Sequence, residues 1–273
     1  VFKMYSGEAK DMFPRLQGPD IWSLAGLTTA TIGTSAAFCN VVGACDDDFT
    51  PDPSAIFPEY LSDWAVLQCP SDPDDELQII TTGCQFAGIV ADGDQSYVYL
   101  GYLIDRGDGT DPTVTGPDLS NGAPPNLVIP AQLLAAFFKL SGGGALGFPT
   151  KPYTPAQART AVRTLIFDLD EITIPSATAG NNGSDRISRL KEGIERFLIT
   201  DINNAAATAV GQSQVAVMWD TISVNPNGNG EYNHVPGGGN VLYMDGHVEF
   251  LKYDALGKFP INNFFGNSVL WAS

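Results

Sequence analysis

Two β-prone runs, Val241 to Met244 and Val248 to Leu251, face each other across Asp245-Gly246. An Asp-Gly pair tolerates positive φ, so the segment is expected to close a tight hairpin through a two-residue type I′ turn. Strand alternation then puts Val241 and Tyr243 on one face, and Leu242 and Met244 on the other. The preceding Gly237-Gly238-Gly239 run lets backbone pass close to another element or a neighbouring subunit. Both histidines of the chain, His234 and His247, fall in this stretch.

At 273 residues the chain can bury a substantial core, and neither an internal repeat nor a clean boundary divides it. One α+β domain spanning 1–273 is the economical expectation. The 14 basic and 31 acidic residues leave a formal charge of −17. Nucleic-acid binding is excluded on that ground, because it needs a basic surface to displace phosphate counterions. Docking on anionic lipid is disfavoured for the same reason. Few charges beside abundant Gly, Pro, Thr, Ser and Asn suit a turn-rich extracellular or cell-surface protein. The four cysteines, Cys39, Cys45, Cys69 and Cys84, form no C-x-x-C. Three pairings are open to them. Nearest-neighbour bridges, 39–45 and 69–84, are the simplest and imply an oxidising compartment, and four buried thiols are the alternative.

Along the chain, Val1 to Glu8 reads as the last turns of a helix, with Val1, Met4 and Tyr5 on one side and Pro14 limiting its extent. Because the sequence opens inside this helix and not with Met, a further segment is expected upstream. Ile21 to Cys45 carries no charge, yet its Thr, Gly and Asn residues deny it the sustained apolar core of a membrane span. A small-residue loop with a short helix is expected there. Helices are further expected at Phe57 to Leu67, Pro130 to Leu140 (ended by Gly142-Gly143-Gly144), Thr154 to Phe167 and Ser184 to Asn203. In the last, Ile187, Leu190, Ile194 and Phe197 keep helical spacing, with Glu192 and Arg196 as an i,i+4 pair. Ser96 to Ile104 and Val215 to Trp219 read as core strands. Asp105 to Asn126 is an acidic, Gly/Pro-rich loop of the length that usually carries function.

The runs Arg189 to Asn204, Val217-Met-Trp-Asp220 and His234…Asn-Val-Leu-Tyr-Met-Asp245-Gly246-His247-Val-Glu-Phe250 resemble a family of bacterial type IV pilin-like proteins. The C-terminal domain of that family is named for a His followed at short spacing by Asp-Gly. Ten residues separate His234 from Asp245 here, one more than in the family pattern. Phe2-Lys-Met-Tyr…Phe13-Pro14 is similar to the end of the long pilin helix and its exit, so 1–14 corresponds to the helix end and 184–273 to the His/Asp-Gly region. Pro58 to Trp64, Cys69-Pro-Ser-Asp-Pro73 and Ser96 to Gly101 also look like landmarks of the family. The resemblance implies an N-terminal helix packed on an antiparallel sheet, with additional helices and long loops. It further implies a subunit that associates with itself into a filament or surface array, touching membrane only through an upstream helix. A pseudopilin of a type II secretion-like system is the alternative, and a carbohydrate-binding surface protein a second.

His234, His247 and Asp245 are a donor set that suits zinc. In a two-residue hairpin, however, the turn Asp and the following His need not face one point. The preferred reading is turn chemistry at Asp245-Gly246, with His234 hydrogen-bonded so as to pin the glycine loop to the hairpin. Asp105, Asp108 and Asp111 supply oxygen ligands at the near spacing that calcium prefers, as do Asp46-Asp47-Asp48 and Asp92/Asp94, without a full EF-hand loop. The calcium-held loop of the major pseudopilins strengthens that expectation. No Gly-x-Ser-x-Gly, P-loop, Gly-x-Gly-x-x-Gly or His-Glu-x-x-His occurs, and the expected function is not enzymatic. Trp22, Trp64, Trp219 and Trp271 read as core or subunit-contact residues. The expected contact surfaces are 21–44, Gly142 to Gly144 and the Phe264-Phe265…Trp271 tail.

Overall fold

The computed structural model describes residues 1–16, 50–51, 53–71, 78–80, 89–91, 96–115, 128–140, 170–174, 178–195, 211–224, 230–234 and 236–266. Its helices are α1 (Phe2–Glu8), α2 (Pro53–Ile56), α3 (Ala131–Leu140) and α4 (Asn263–Gly266). The strands run β1 (Gln78–Ile80), β2 (Ile89–Ala91), β3 (Tyr97–Tyr99), β4 (Thr113–Thr115), β5 (Val128–Pro130), β6 (Glu171–Thr173) and β7 (Arg186–Ser188). They continue with β8 (Ala216–Asp220), β9 (Ile222–Val224), β10 (Gly230–Tyr232), β11 (Gly238–Tyr243) and β12 (Val248–Lys252). Among the described residues every pairing is antiparallel, and the molecule is a mixed helix-and-sheet protein.

The largest sheet has four strands in the order β12-β11-β8-β3. Strand β8, Ala-Val-Met-Trp-Asp, is apolar on both faces, which fits a strand with neighbours on each side and cover above and below. Register sets the faces: Tyr97, Tyr99, Met218, Asp220 and Leu242 share one, and Val98, Trp219 and Val241 the other. Helix α1 covers the first face. Phe2 stacks on Tyr99 at 5.2 Å and on Phe13 at 5.8 Å between ring centroids. The chain leaving α1 is then fastened by its carbonyls, Pro14 O accepting from the Tyr99 hydroxyl and Phe13 O from Arg189 Nη2. The C-terminal segment covers the second face, with Phe259 and Phe265 edge-on to Trp219 at 5.1 and 5.3 Å. Trp219 is thus a core residue, as expected.

Several expectations change in detail. Helix α1 turns Phe2 and buried Ser6 inward, whereas Val1 and Met4 are exposed; the aromatic shelf of Tyr99 and Phe13 selects the ring at position 2. No α-helix occupies 184–195, where a 3₁₀ turn begins only at Ile194, and 196–203 lies outside the described residues. Arg186–Ser188 is strand β7, paired with β6, and Gly193 at φ +76° turns the chain. Ile187, Leu190 and Ile194 are fully buried as their spacing demands, but a strand, a bridge and a turn deliver them. Asn181 Oδ1 accepting from Ser188 N and Asp185 O accepting from Ile174 N hold that segment extended. Glu192 pairs with Lys3 at 2.7 Å, and Arg196 lies outside the described residues. Between 57 and 67 Pro58 lacks the N–H a continuous helix needs. Helix α2 ends at Ile56, before the segment, which holds turns and a 3₁₀ turn (Trp64–Leu67), capped by Asp63 accepting from Ala65 N at 2.9 Å. The strand expected at Ser96 to Ile104 ends at Tyr99, since Gly101 takes φ +73°. Helix α3 and strand β8 lie within a residue of expectation.

The hairpin forms, but with a longer loop. Gly246 N donates to Tyr243 O at 2.9 Å, Tyr243 N to His247 O at 3.0 Å, and Gly246 alone in the loop takes positive φ (+96°). That is a three-residue loop, Met244-Asp245-Gly246, ending in a glycine bulge, in place of the type I′ turn. Val241 and Tyr243 do face the core. Met244 leaves the strand, donates its N–H to Val215 O at 2.9 Å and is buried rather than facing out with Leu242. The helix expected at 154–167 and the segments 21–44, 142–144 and 267–273 lie outside the described residues, as do Trp22, Trp271, Cys39, Cys45, Cys84, Asp46 to Asp48, Asp92 and Asp94.

Candidate functional site

Strand β8 ends in a carboxylate that the fold closes over. The Asp220 side chain is 2% exposed. Its Oδ2 accepts from Asn240 N at 2.6 Å and from Asn240 Nδ2 at 2.9 Å, and His234 Nε2 stands 3.0 Å away. Burial raises the Asp220 pKa above the usual carboxylate range, and the Asn240 N–H, the His234 charge and the Asn240 amide each oppose that rise. Cys69 Sγ, on a buried and free thiol, approaches the same His234 Nε2 at 3.6 Å, and Cys69 N donates to Ser96 Oγ at 2.9 Å. Asn233 Nδ2 adds a bond to Ser96 O at 3.4 Å. His234 Nε2 thus faces Asp220 and Asn240 beside the glycine run. Close approach explains the glycines: a Cβ on Gly238 would lie 2.3 Å from Leu251 O, and one on Gly239 2.8 Å from Ile261 Cδ1.

This constellation joins a thiol, an imidazole and a carboxylate without forming a relay. In a nucleophilic triad the two ring nitrogens divide the work, one on the nucleophile and one on the acid. Here Asp220, Asn240 and Cys69 all address Nε2. One proton on that nitrogen, given to Asp220 Oδ2, uses its capacity. The group is a polar lock between β8, β11 and the 67–71 segment.

The other half of the sequence motif lies at the hairpin tip. Asp245 Oδ1 accepts from His247 N at 3.1 Å and faces His247 Nδ1 at 2.6 Å, and the imidazole stacks on Tyr243 at 4.6 Å. The His247 backbone N–H, then its ring, hold the Asp245 pKa below the usual range. Three residues along β11, from Asn240 to Tyr243, at about 3.3 Å each put the loop roughly 10 Å beyond Asn240. His234, Asp245 and His247 are not one site.

Asp105, Asp108 and Asp111 are neighbours with separate duties. Asp105 Oδ1 takes Gln132 Nε2 and Asn181 Nδ2, each at 2.6 Å, and its Oδ2 takes Asn182 N at 3.1 Å. Asp108 Oδ1 accepts from Phe259 N at 2.8 Å, and Asp111 Oδ2 from Asp108 N at 2.9 Å. Burial raises the Asp111 pKa. Among the described residues no group of three His, Cys, Asp or Glu side chains is placed to hold a metal ion. The loop clamps α3, the 180–183 turn and the C-terminal segment. Sequence reading missed Gln132, Asn181, Asp220 and Asn240. Of these, only Asp220, a charge closing an apolar run, carried a visible signal.

The α1 side of the sheet opens into an apolar groove of about 420 Å³, floored by Met218 and Leu242 and rimmed by Val1, Val66 and Val248. The three rim residues are 42%, 58% and 60% exposed. Phe250, two positions after Val248 on the same face of β12, is exposed too. Strand β12 is an edge, paired only with β11 among the described residues. No helix of the described residues is long and apolar enough to cross a membrane. Comparison with known proteins finds no family model, curated protein or solved structure that matches the chain.

Proposed function

We propose that this chain is a pilin-like structural subunit of an extracellular filament or cell-surface assembly, working by self-association. The observation that carries the reading is the open apolar groove on the α1 side of the sheet, lined by exposed Val66 and Val248, with Phe250 exposed on the same face of β12. On a chain of net charge −17, apolar side chains left exposed together mark a contact surface. A helix laid across an antiparallel sheet, the arrangement that the family resemblance implies, supports the same reading. An open edge strand offers further backbone groups for pairing, and a contact that does not close on itself yields a fibre. Sedimentation and negative-stain imaging of the purified full chain test this. Concentration-dependent assembly is expected for the native sequence and its loss for Val248→Lys/Phe250→Lys, at unchanged melting temperature. A native chain monomeric at all concentrations, or a double variant that assembles normally, refutes the proposal.

A further inference from the structure

Strand β12 leaves one edge of the four-stranded sheet open, and its ladder to β11 fixes which groups face outward. Tyr243 N donates to His247 O at 3.0 Å, and Tyr253 N to Gly237 O at 3.2 Å. Hydrogen-bonded pairs alternate along an antiparallel ladder, so Glu249 and Leu251 spend their main-chain N–H and C=O on β11. Val248, Phe250 and Lys252 turn theirs away from it, and among the described residues nothing meets them. The side chains of these three share the groove face, with Val248 60% and Phe250 42% exposed. Glu249 takes the other face, beside a cavity of about 220 Å³ that Tyr243 and Phe259 also line. Strand β3, at the opposite edge, is closed, because Val98 and Tyr99 are fully buried. A strand that joins this sheet therefore joins it at β12.

We propose that β12 pairs with β12 of a second copy, antiparallel about a twofold axis at Phe250, joining two four-stranded sheets into one. The inference rests on the self-association proposed above and assigns it one contact. About such an axis one residue of the strand faces its own copy, and the side chains of β12 decide which. Glu249 or Lys252 in that place would set like charges directly opposite, which is destabilising. Val248 there would carry Phe250 past the strand to Gly246 of the hairpin loop. Leu251 there would put Val248 against Asp254, whose C=O already accepts from Gly257 N at 2.9 Å. With Phe250 on the axis, the strands overlap from Val248 to Lys252, and each outward residue exchanges N–H and C=O with an outward residue. Val248 then packs on the Lys252 stem of the second copy, and the two Phe250 rings meet on the groove face. Phe250, exposed on a single copy, becomes the centre of the contact. One like-charge approach remains, since the two Glu249 lie diagonally across the axis, roughly 7–8 Å apart. An isologous contact closes at two copies, so growth beyond the dimer falls to the groove.

Amide hydrogen exchange of the full chain, read by NMR beside sedimentation over a concentration series, tests this at an ionic strength that screens the charge of −17. A single-strand contact is smaller than a standard interface, so the dimer should form at about 10–100 μM. As it forms, the amides of Val248, Phe250 and Lys252 should slow about fivefold or more, and those of Glu249 and Leu251, already bonded to β11, should change less. Lys252→Pro should weaken the dimer about tenfold or more. Its N–H points outward, so proline removes no bond to β11, while its ring occupies the place of the second strand. An unchanged melting temperature would show that this variant folds, and it keeps Val248 and Phe250, so association through the groove alone would be unaffected. Glu249→Gln should tighten the dimer about twofold by removing the diagonal repulsion. Association without protection of the three outward amides, or at full strength in Lys252→Pro, overturns the β12 contact and leaves the groove reading standing. A protected dimer that never grows further upholds the contact and overturns the filament. A chain that stays monomeric throughout overturns both.

Discussion

The lock around Asp220 separates two roles a buried carboxylate can have, that of charge and that of acceptor. Its Oδ2 takes the Asn240 main-chain N–H at 2.6 Å and the Asn240 amide at 2.9 Å. Replacing Asp220 with Ala removes the acceptor. The Asn240 N–H is fixed in the sheet and cannot turn to water, so its loss costs about 1–3 kcal/mol. The Asn240 amide and His234, 25% exposed, can turn outward and lose less. With the small void added, Asp220→Ala should cost roughly 2–4 kcal/mol, a fall of roughly 5–12 °C for a chain of this size. Asp220→Asn keeps an oxygen at the same place and discards only the charge, so it should stay within about 1 kcal/mol of the native protein at neutral pH. The pH dependence follows from the raised pKa. The native state holds this proton more tightly than the unfolded chain, whose carboxylate titrates near 3.8. The stability that Asp220 contributes is therefore fully present below 3.8 and lost as pH rises through the higher native value. Asp220→Asn lacks that loss and should gain on the native protein between about pH 4 and neutrality. Urea unfolding followed by tryptophan fluorescence at a series of pH values measures both. If Asn is as damaging as Ala at neutral pH, the charge holds the loop and the acceptor argument is wrong.

The acidic loop offers two further tests. Gln132 is buried, accepts from Asp105 N at 3.0 Å and Arg106 N at 2.9 Å, and donates to Asp105 Oδ1 at 2.6 Å. Gln132→Leu preserves volume but orphans those groups, and should cost about 2–4 kcal/mol in urea unfolding; under 1 kcal/mol would deny the clamp. Gly109→Ala would put a Cβ 2.3 Å from Leu256 O and should loosen the C-terminal segment at a cost of about 1–3 kcal/mol. Gly7→Ala, in open space on α1, should instead stabilise by about 0.5–1 kcal/mol, so equal effects at the two glycines would refute the packing argument.

What the sequence disclosed and what it hid follow from the range of the forces concerned. Strand β8, helix α3 and the final hairpin were legible because local alternation, propensity and turn chemistry write them. The length of the hairpin loop was not. Asp-Gly serves a two-residue turn and a three-residue turn with a bulge equally well, and Val215 O, which draws Met244 N inward, is remote in sequence. Ile187, Leu190 and Ile194 show the same limit more sharply. Their spacing reported burial correctly but not conformation, because the partners that keep the segment extended, Asn181 and β6, are separate in sequence. At the candidate site, His234 stood out in the sequence from its place beside three glycines. Its acceptor was not, since Asp220 joins it only once β8 and β11 are paired.

The sheet's two faces are covered differently. On one face α1 covers only part of the surface, leaving Met218 and Leu242 as the floor of an open apolar groove. On the other, Phe259, Ile261 and Phe265 close the core and the acidic loop holds them down through Asn262 Nδ2, which donates to Gly107 O at 3.0 Å. Apolar exposure is tolerable on the first face because the second already supplies the packing around Trp219. Strand β12 belongs to both: Val248 and Phe250 point to the groove side, and Glu249 to the cavity of Tyr243. An association that extends the sheet at β12 would have to pass beside Glu249.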